Sequence, residues 1–218
     1  MGSMTSPASD SLTVIFARLD ARVRRVDEER WLSSRYATAS QRQSLIVLYA
    51  FYYELARVRV SVTDPTMGQI RFQWWRDALS ELADGKPRQH DVVLALADEL
   101  SDAHLSADAL GRIIDQFEAA FLATDRRQEP EDLLAGAAAR VCAPGEDVAA
   151  LVQRLAPEWA ALRRGEAVSE PAPRERVASN LRPALAHFRL RHVWRRGVRA
   201  GKLTIRLSIL MAVLTGAV

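Results

Sequence analysis

Leu48-Tyr49-Ala50-Phe51-Tyr52-Tyr53-Glu54-Leu55-Ala56-Arg57, followed by Met67-Gly68-Gln69-Ile70-Arg71-Phe72-Gln73-Trp74-Trp75-Arg76-Asp77, decides the fold. Leu45, Leu48, Tyr52, Leu55 and Ala56 recur at steps of three and four, which is one face of a helix and not the alternation of a strand. Ser40 with Gln43 three residues on reads as a capping box that starts this helix near Gln41. Asp64 before Pro65 reads as the N-cap and first position of a second helix. Its apolar stripe is Met67, Ile70, Trp74, Ala78 and Leu82, and Asp84-Gly85 ends it. An antiparallel helical pair is the expected unit.

Working outward, the remaining segments also read as helices. Leu12, Ile15, Phe16, Leu19 and Val23 form the apolar side of a basic helix, expected to pack on a core with its arginines in water. A short helix opens at Asp27-Glu28-Glu29, another carries Val92, Val93, Leu96 and Leu100, and Ser106 caps a longer one with Leu110, Ile113, Ile114, Phe117 and Phe121 inward and Asp115, Glu118 and Asp125 outward. Helices are expected from Leu133 to Ala143, with Gly136 allowing close approach, and from Glu146 to Arg164, with Pro157 as a kink or a restart. The expected fold class is an all-α, single-domain helical bundle over 11–218. Residues 1–10 are expected to be a disordered lead, in which Met1-Gly2-Ser3 looks like an expression scar.

Composition limits function. Hydrophobic residues make up 49% and charged residues 26% of 218, an ordinary globular balance. The single cysteine, Cys142, excludes an internal disulfide and fits a reducing compartment. His90, His104, His187 and His192 show no metal-ligand spacing, and no phosphate-gripping loop or nucleophile elbow occurs. Residues 174–206 hold ten basic residues against Glu175 alone, while 77–132 hold fourteen acids against five basic residues. On either side of the linker-like composition of 165–173, these two regions are expected to attract each other within the fold, the alternative being a binding face. No nucleic-acid-binding signature accompanies the basic run. The apolar 203–218 is too short to span a bilayer, so peripheral contact with anionic membrane through 174–218 is the sharper expectation. Scarce lysine and abundant alanine suggest a GC-rich bacterial genome; the single cysteine fits a cytoplasmic location, peripheral to the inner membrane if the tail binds lipid.

The Leu48-Tyr49-Ala50-Phe51 run with Trp75-Arg76 and Leu79 resembles the squalene/phytoene synthase family, all-helical enzymes of the isoprenoid synthase type that condense prenyl diphosphates. The resemblance implies an Asp-Asp-x-x-Asp cluster for Mg²⁺ at positions 56, 57 and 60. This chain has Ala56, Arg57 and Val60 there, so no hard oxygen ligand is offered. A second cluster is expected in the later half, where only Glu146, Asp147 and Glu158 occur. The run 54–59 with 68–76 is similar to the subgroup related to the mitochondrial complex I assembly factor 6. That resemblance implies a non-catalytic protein with no catalytic residues, metal or cofactor, and a protein client such as a respiratory complex I subunit. The alternative is a prenyltransferase retaining squalene/phytoene synthase activity through atypical residues, with Mg²⁺ as cofactor. Tyr49, Tyr53, Glu54, Arg57, Arg71, Gln73, Trp75 and Arg76 are the candidate ligand-binding residues of a degenerate cavity, the arginines gripping an anion. Glu54 and Arg57 are expected to be an ordinary ion pair across one helix turn.

Overall fold

The helix carrying the Tyr-Ala-Phe run starts at Thr38. In the computed structural model, which describes residues 7–101, 105–124, 128–197 and 200–218, the Thr38 hydroxyl accepts the Gln41 N–H at 3.3 Å, and the Gln41 side chain accepts the Thr38 N–H at 3.2 Å. The capping box is therefore two residues earlier than Ser40 and Gln43. Both pairs fit the local pattern, but Gln41 also donates to the Cys142 carbonyl at 3.1 Å, a tertiary bond with no counterpart at Gln43 among the described residues. The Ser40 carbonyl is engaged by the Ser44 hydroxyl.

In chain order the helices are α1 (Pro7–Val26), α2 (Glu28–Ser34), α3 (Ala39–Ser61), α4 (Pro65–Ala83), α5 (Asp91–Ser101), α6 (Ala107–Leu122), α7 (Glu131–Cys142) and α8 (Ala149–Arg163). Short turns follow, α9 (Arg182–Leu185) and α10 (Arg191–Trp194) interleaved with 3₁₀ segments, and then α11 (Lys202–Thr215). The fold is an all-α bundle, with no strand among the described residues beyond one isolated antiparallel bridge, Arg176 to Ala217. Helix α1 begins at Pro7, inside the stretch read as an unstructured lead; residues 1–6, His104 and Asp125 lie outside the described residues.

α3 is the axis. Ser44 through Tyr52 are all buried, so its apolar residues occupy the whole circumference, and α1, α2, α4, α5, α6 and α7 surround it. α1 lays Ile15, Leu19 and Val23 on that axis, as expected of a helix that packs on a core. α4 starts as read: Asp64 accepts the Met67 N–H at 2.8 Å, with Pro65 in the first turn. Its inner face differs from the reading. Gly68, Phe72, Trp75, Ala78 and Leu79 are buried, whereas Met67 and Ile70 are exposed. α4 rolls toward α6 because Gly68 lets the Phe121 ring lie on its backbone where a Cβ would clash, and Phe72 meets the same ring at 5.8 Å.

Three more expectations are corrected. Gly136 has no neighbour within 4 Å of the place a Cβ would occupy, so the close approach of α7 belongs to Ala135, Ala137, Ala138 and Ala139. α8 begins at Ala149, which leaves Glu146 and Asp147 in the preceding loop, Asp147 accepting the Ala149 N–H at 3.0 Å; the helix continues through Pro157. Among the described residues the basic tail forms no ion pair with the acidic middle. Among the described residues, Asp91, Asp108, Asp115 and Glu118 are held by Arg18, Arg112 and Arg76. Tail arginines instead find carbonyls and Glu158: Arg182 donates to Val213 at 2.8 Å, Arg189 to Ala217 at 3.1 Å, and Arg191 and Arg195 both reach Glu158.

His187 shows what this packing costs. Its ring lies 4.8 Å from Trp159 and both its nitrogens lack a protein partner, so burial, with the Arg30 charge, drives it well below its ordinary value. Burial, with Arg191, also pushes His192 down to about 4. Folding thus requires neutral imidazoles, whose contribution is complete above the unfolded value of about 6.5 and is lost as pH falls. Unfolding free energy is expected to decline between about pH 6.5 and 4, by up to about 1.4 kcal/mol per pH unit for each histidine. Urea titrations across that range check it, and His187→Leu should flatten the slope.

Candidate functional site

The positions that decide the chemistry point in three directions. Ala56 lines a cavity of about 320 Å³ between α2, α3, α7 and α8, Arg57 lines a separate cleft of about 210 Å³ between α3 and α4, and Val60 is 86% exposed. None carries a carboxylate. Mg²⁺ needs several oxygens converging on one point, so these residues do not fit it. Among the described residues no group of three or more His, Cys, Asp or Glu could hold a metal ion.

The cavity is built around Arg30. Asp27 caps α2 through the Arg30 N–H at 3.3 Å and receives the Arg30 guanidinium at 2.6 Å, while the other amino group of Arg30 bonds Glu131 at the start of α7. Arg163 from α8 closes on Asp27 at 3.1 Å, and Arg164 on Glu129 at 3.1 Å. The Arg30 guanidinium lies 5.9 Å from the Tyr49 ring, 5.6 Å from Tyr52 and 5.9 Å from Trp159, within cation–π range. Burial would raise the Asp27 carboxyl, but Arg163 and Arg30 outweigh it and hold it far below the usual range. Burial opposes the Arg30 charge too, yet Asp27 and Glu131 keep it protonated. Three acids face three arginines, so the chamber supplies its own counter-ions. The Tyr49 and Tyr52 hydroxyls, buried beside it, have no protein partner.

The cleft has aromatic walls. Trp74 and Trp75 meet edge to face at 5.0 Å, and His90 lies against both, at 5.8 and 5.4 Å. Val58 and Ser61 complete it, with Glu54, Arg57 and Arg71 as its charged members. Glu54 accepts from Arg57 at 3.1 Å and also from Arg22 of α1, so the ion pair expected across one turn is part of a triad.

The sequence-named residues are therefore divided. Tyr49 and Tyr53 line the Arg30 cavity; Glu54, Arg57, Arg71 and Trp75 line the cleft. Gln73 points to solvent and donates to Asp77 at 2.7 Å, and Arg76 is held by Asp115 and Glu118. Reading the sequence missed Arg30, Asp27 and Glu131, because Asp27 and Glu131 each look like ordinary acids at a helix start. A larger hollow of about 780 Å³, bordered by Arg164, Glu166, Trp194 and Ile205, contains none of the named residues.

Residues 23–137, more than half of the chain, match the family profile described as squalene/phytoene synthase. The chain belongs to the squalene/phytoene synthase family. Relatives named NADH dehydrogenase (ubiquinone) complex I, assembly factor 6, from Bos taurus, Rattus norvegicus and Homo sapiens are 31%, 34% and 31% identical over 96 residues. That match spans 44% of this chain and 29% of the length of each relative. No solved structure matches. The family match contains every residue of the cleft and, in the Arg30 cavity, those from Val26 to Leu134.

Proposed function

We propose that this member of the squalene/phytoene synthase family is a non-catalytic factor that helps assemble an NADH-oxidising respiratory complex by binding a protein client. The observation that carries the reading is the divergence of positions 56, 57 and 60: no carboxylate stands at any of them, they face three different places, and the cavity beside Ala56 holds a guanidinium already neutralised by Asp27 and Glu131. A second diphosphate site has no better support, since Glu158 is committed to Arg191 and Arg195. The names of the relatives add weight to a role in complex assembly. A strain lacking the protein is expected to keep normal isoprenoid levels and lose NADH-dependent respiration. Release of pyrophosphate from farnesyl or geranylgeranyl diphosphate with Mg²⁺, above background, would overturn the reading.

α11 favours a peripheral membrane location. Leu203, Leu207, Leu210, Met211 and Leu214 form an exposed apolar stripe, while Ile209 and Ala212 bind the helix to the body. Lys202 and Arg206 flank the stripe and no acid interrupts it. No helix among the described residues is long and apolar enough to cross a membrane. Co-sedimentation with vesicles containing anionic lipid is expected, and Leu207→Asp should abolish it; equal recovery in the supernatant with and without vesicles would remove this location.

A further inference from the structure

α4 is apolar on two sides. One side, Gly68, Phe72, Trp75, Ala78 and Leu79, is buried against the bundle. The other begins with Met67 and Ile70, 49% and 56% exposed, and runs into half-buried Trp74. A surface helix needs to be apolar only where its own bundle covers it; α3, α5 and α6 cover the first side of α4, whereas Met67 and Ile70 lie outside that cover. The adjoining end of α3 presents Val60, also exposed. Between these helices opens the cleft walled by Trp74, Trp75 and His90, large enough for one apolar side chain.

The charge at the rim selects what enters. Arg57 is more than half exposed, and Arg71 makes no side-chain hydrogen bond or ion pair among the described residues. Glu54 is nearly buried and already held by Arg22 and Arg57, and Asp64 is occupied as the α4 cap. The rim is therefore cationic. Tryptophan with arginine around a concave apolar pocket is the composition that dominates binding energy at protein interfaces.

We propose that this face docks an acidic amphipathic segment of a partner protein. One apolar side chain enters the cleft, its neighbours lie on Val60, Met67 and Ile70, and carboxylates meet Arg57 and Arg71, whose planar forks suit them. A bilayer is too flat to fill a cleft between α3 and α4. A second copy of the chain would set arginine against arginine across a two-fold axis. The proposal rests on the assembly reading only in taking the occupant to be a protein.

The test is a photo-crosslinking amino acid in place of Ile70 in the full chain, expressed in its own cells, with the captured segment sequenced by mass spectrometry. A captured segment with acidic residues beside large apolar ones is expected. Arg71→Glu removes no contact within the chain, so it should leave the circular dichroism spectrum unchanged while lowering capture about tenfold. Capture of lipid, of a second copy or of a basic segment, no capture, or yield indifferent to Arg71→Glu would each overturn the proposal. An acidic segment from a protein unconnected with NADH oxidation would leave the docking face standing and overturn the assembly reading. A respiratory defect in the deletion strain without acidic capture would do the reverse.

Discussion

Arg30→Met is expected to destabilise the protein by about 3–5 kcal/mol, the usual cost of removing one partner from a buried ion pair. Arg30 is 2% exposed and Glu131 3%. Methionine can follow the aliphatic stem across Tyr49, Tyr52 and Trp159, so the loss falls mainly on charge. Asp27 keeps Arg163 as a partner at 3.1 Å, whereas Glu131 has no other ion pair within 4 Å among the described residues. Burial already raises the Glu131 carboxyl despite Arg30, and without that cation it rises further. A raised carboxyl favours folding at low pH and loses that contribution as pH increases, so the variant's deficit should be largest near neutrality and shrink below about pH 5. In thermal unfolding at pH 7 the midpoint should fall by roughly 6–20 °C for a chain of this size. Adding Glu131→Leu should recover most of the loss, because a matched apolar replacement leaves no orphaned charge. A double variant as unstable as the single one would show that contact of the Arg30 stem with the aromatic rings, not its charge, holds this region.

That network also marks the boundary of what the sequence discloses. Asp64 with Pro65, Ser106 and Gly85 act within a turn of themselves, and the structure places helix ends where they say. Thr38 and Ser40 carry the same local signal, and a bond from Gln41 to the Cys142 carbonyl, 101 residues away, separates them. α4 has two apolar sides, so periodicity finds the helix but not which side the bundle covers. For the candidate site, adjacent residues of α3 face different hollows: Tyr53 opens on the Arg30 chamber, Glu54 on the tryptophan cleft. A list compiled by proximity in sequence therefore joins two places. Net charge misleads for a related reason. The acidic middle and basic tail look complementary in bulk, yet nearer arginines such as Arg76 and Arg88 already neutralise many of the acids, and the tail turns to carbonyls.

Glu158→Ala should detach that tail. Glu158 is 6% exposed and accepts from the Ala172 N–H at 3.1 Å, from Arg191 at 2.5 Å and from Arg195 at 2.7 Å, tying segment 165–173 and the α10 region to α8. Arg191 is fully buried and one of its amino groups already lacks a partner. Removing its counter-ion leaves an uncompensated buried guanidinium, at about 3–5 kcal/mol. Glu158→Gln keeps acceptors for these donors but not the charge, so it should cost less. Burial would raise the Glu158 carboxyl, but Arg195 and Arg191 outweigh it and the group sits below its ordinary value. Its contribution is then present above about pH 4.5 and lost as pH falls, so Glu158→Gln and the parent should converge in acid. Limited trypsin digestion distinguishes local from global failure. Early cleavage at Arg174 and Arg176, with the α1 to α7 fragment still resistant, is the expected pattern, because the α3 axis does not depend on Glu158. Uniform digestion of the whole chain would mean that the tail's buried side chains, Leu185, Phe188 and Leu190, cannot leave the core without unfolding it.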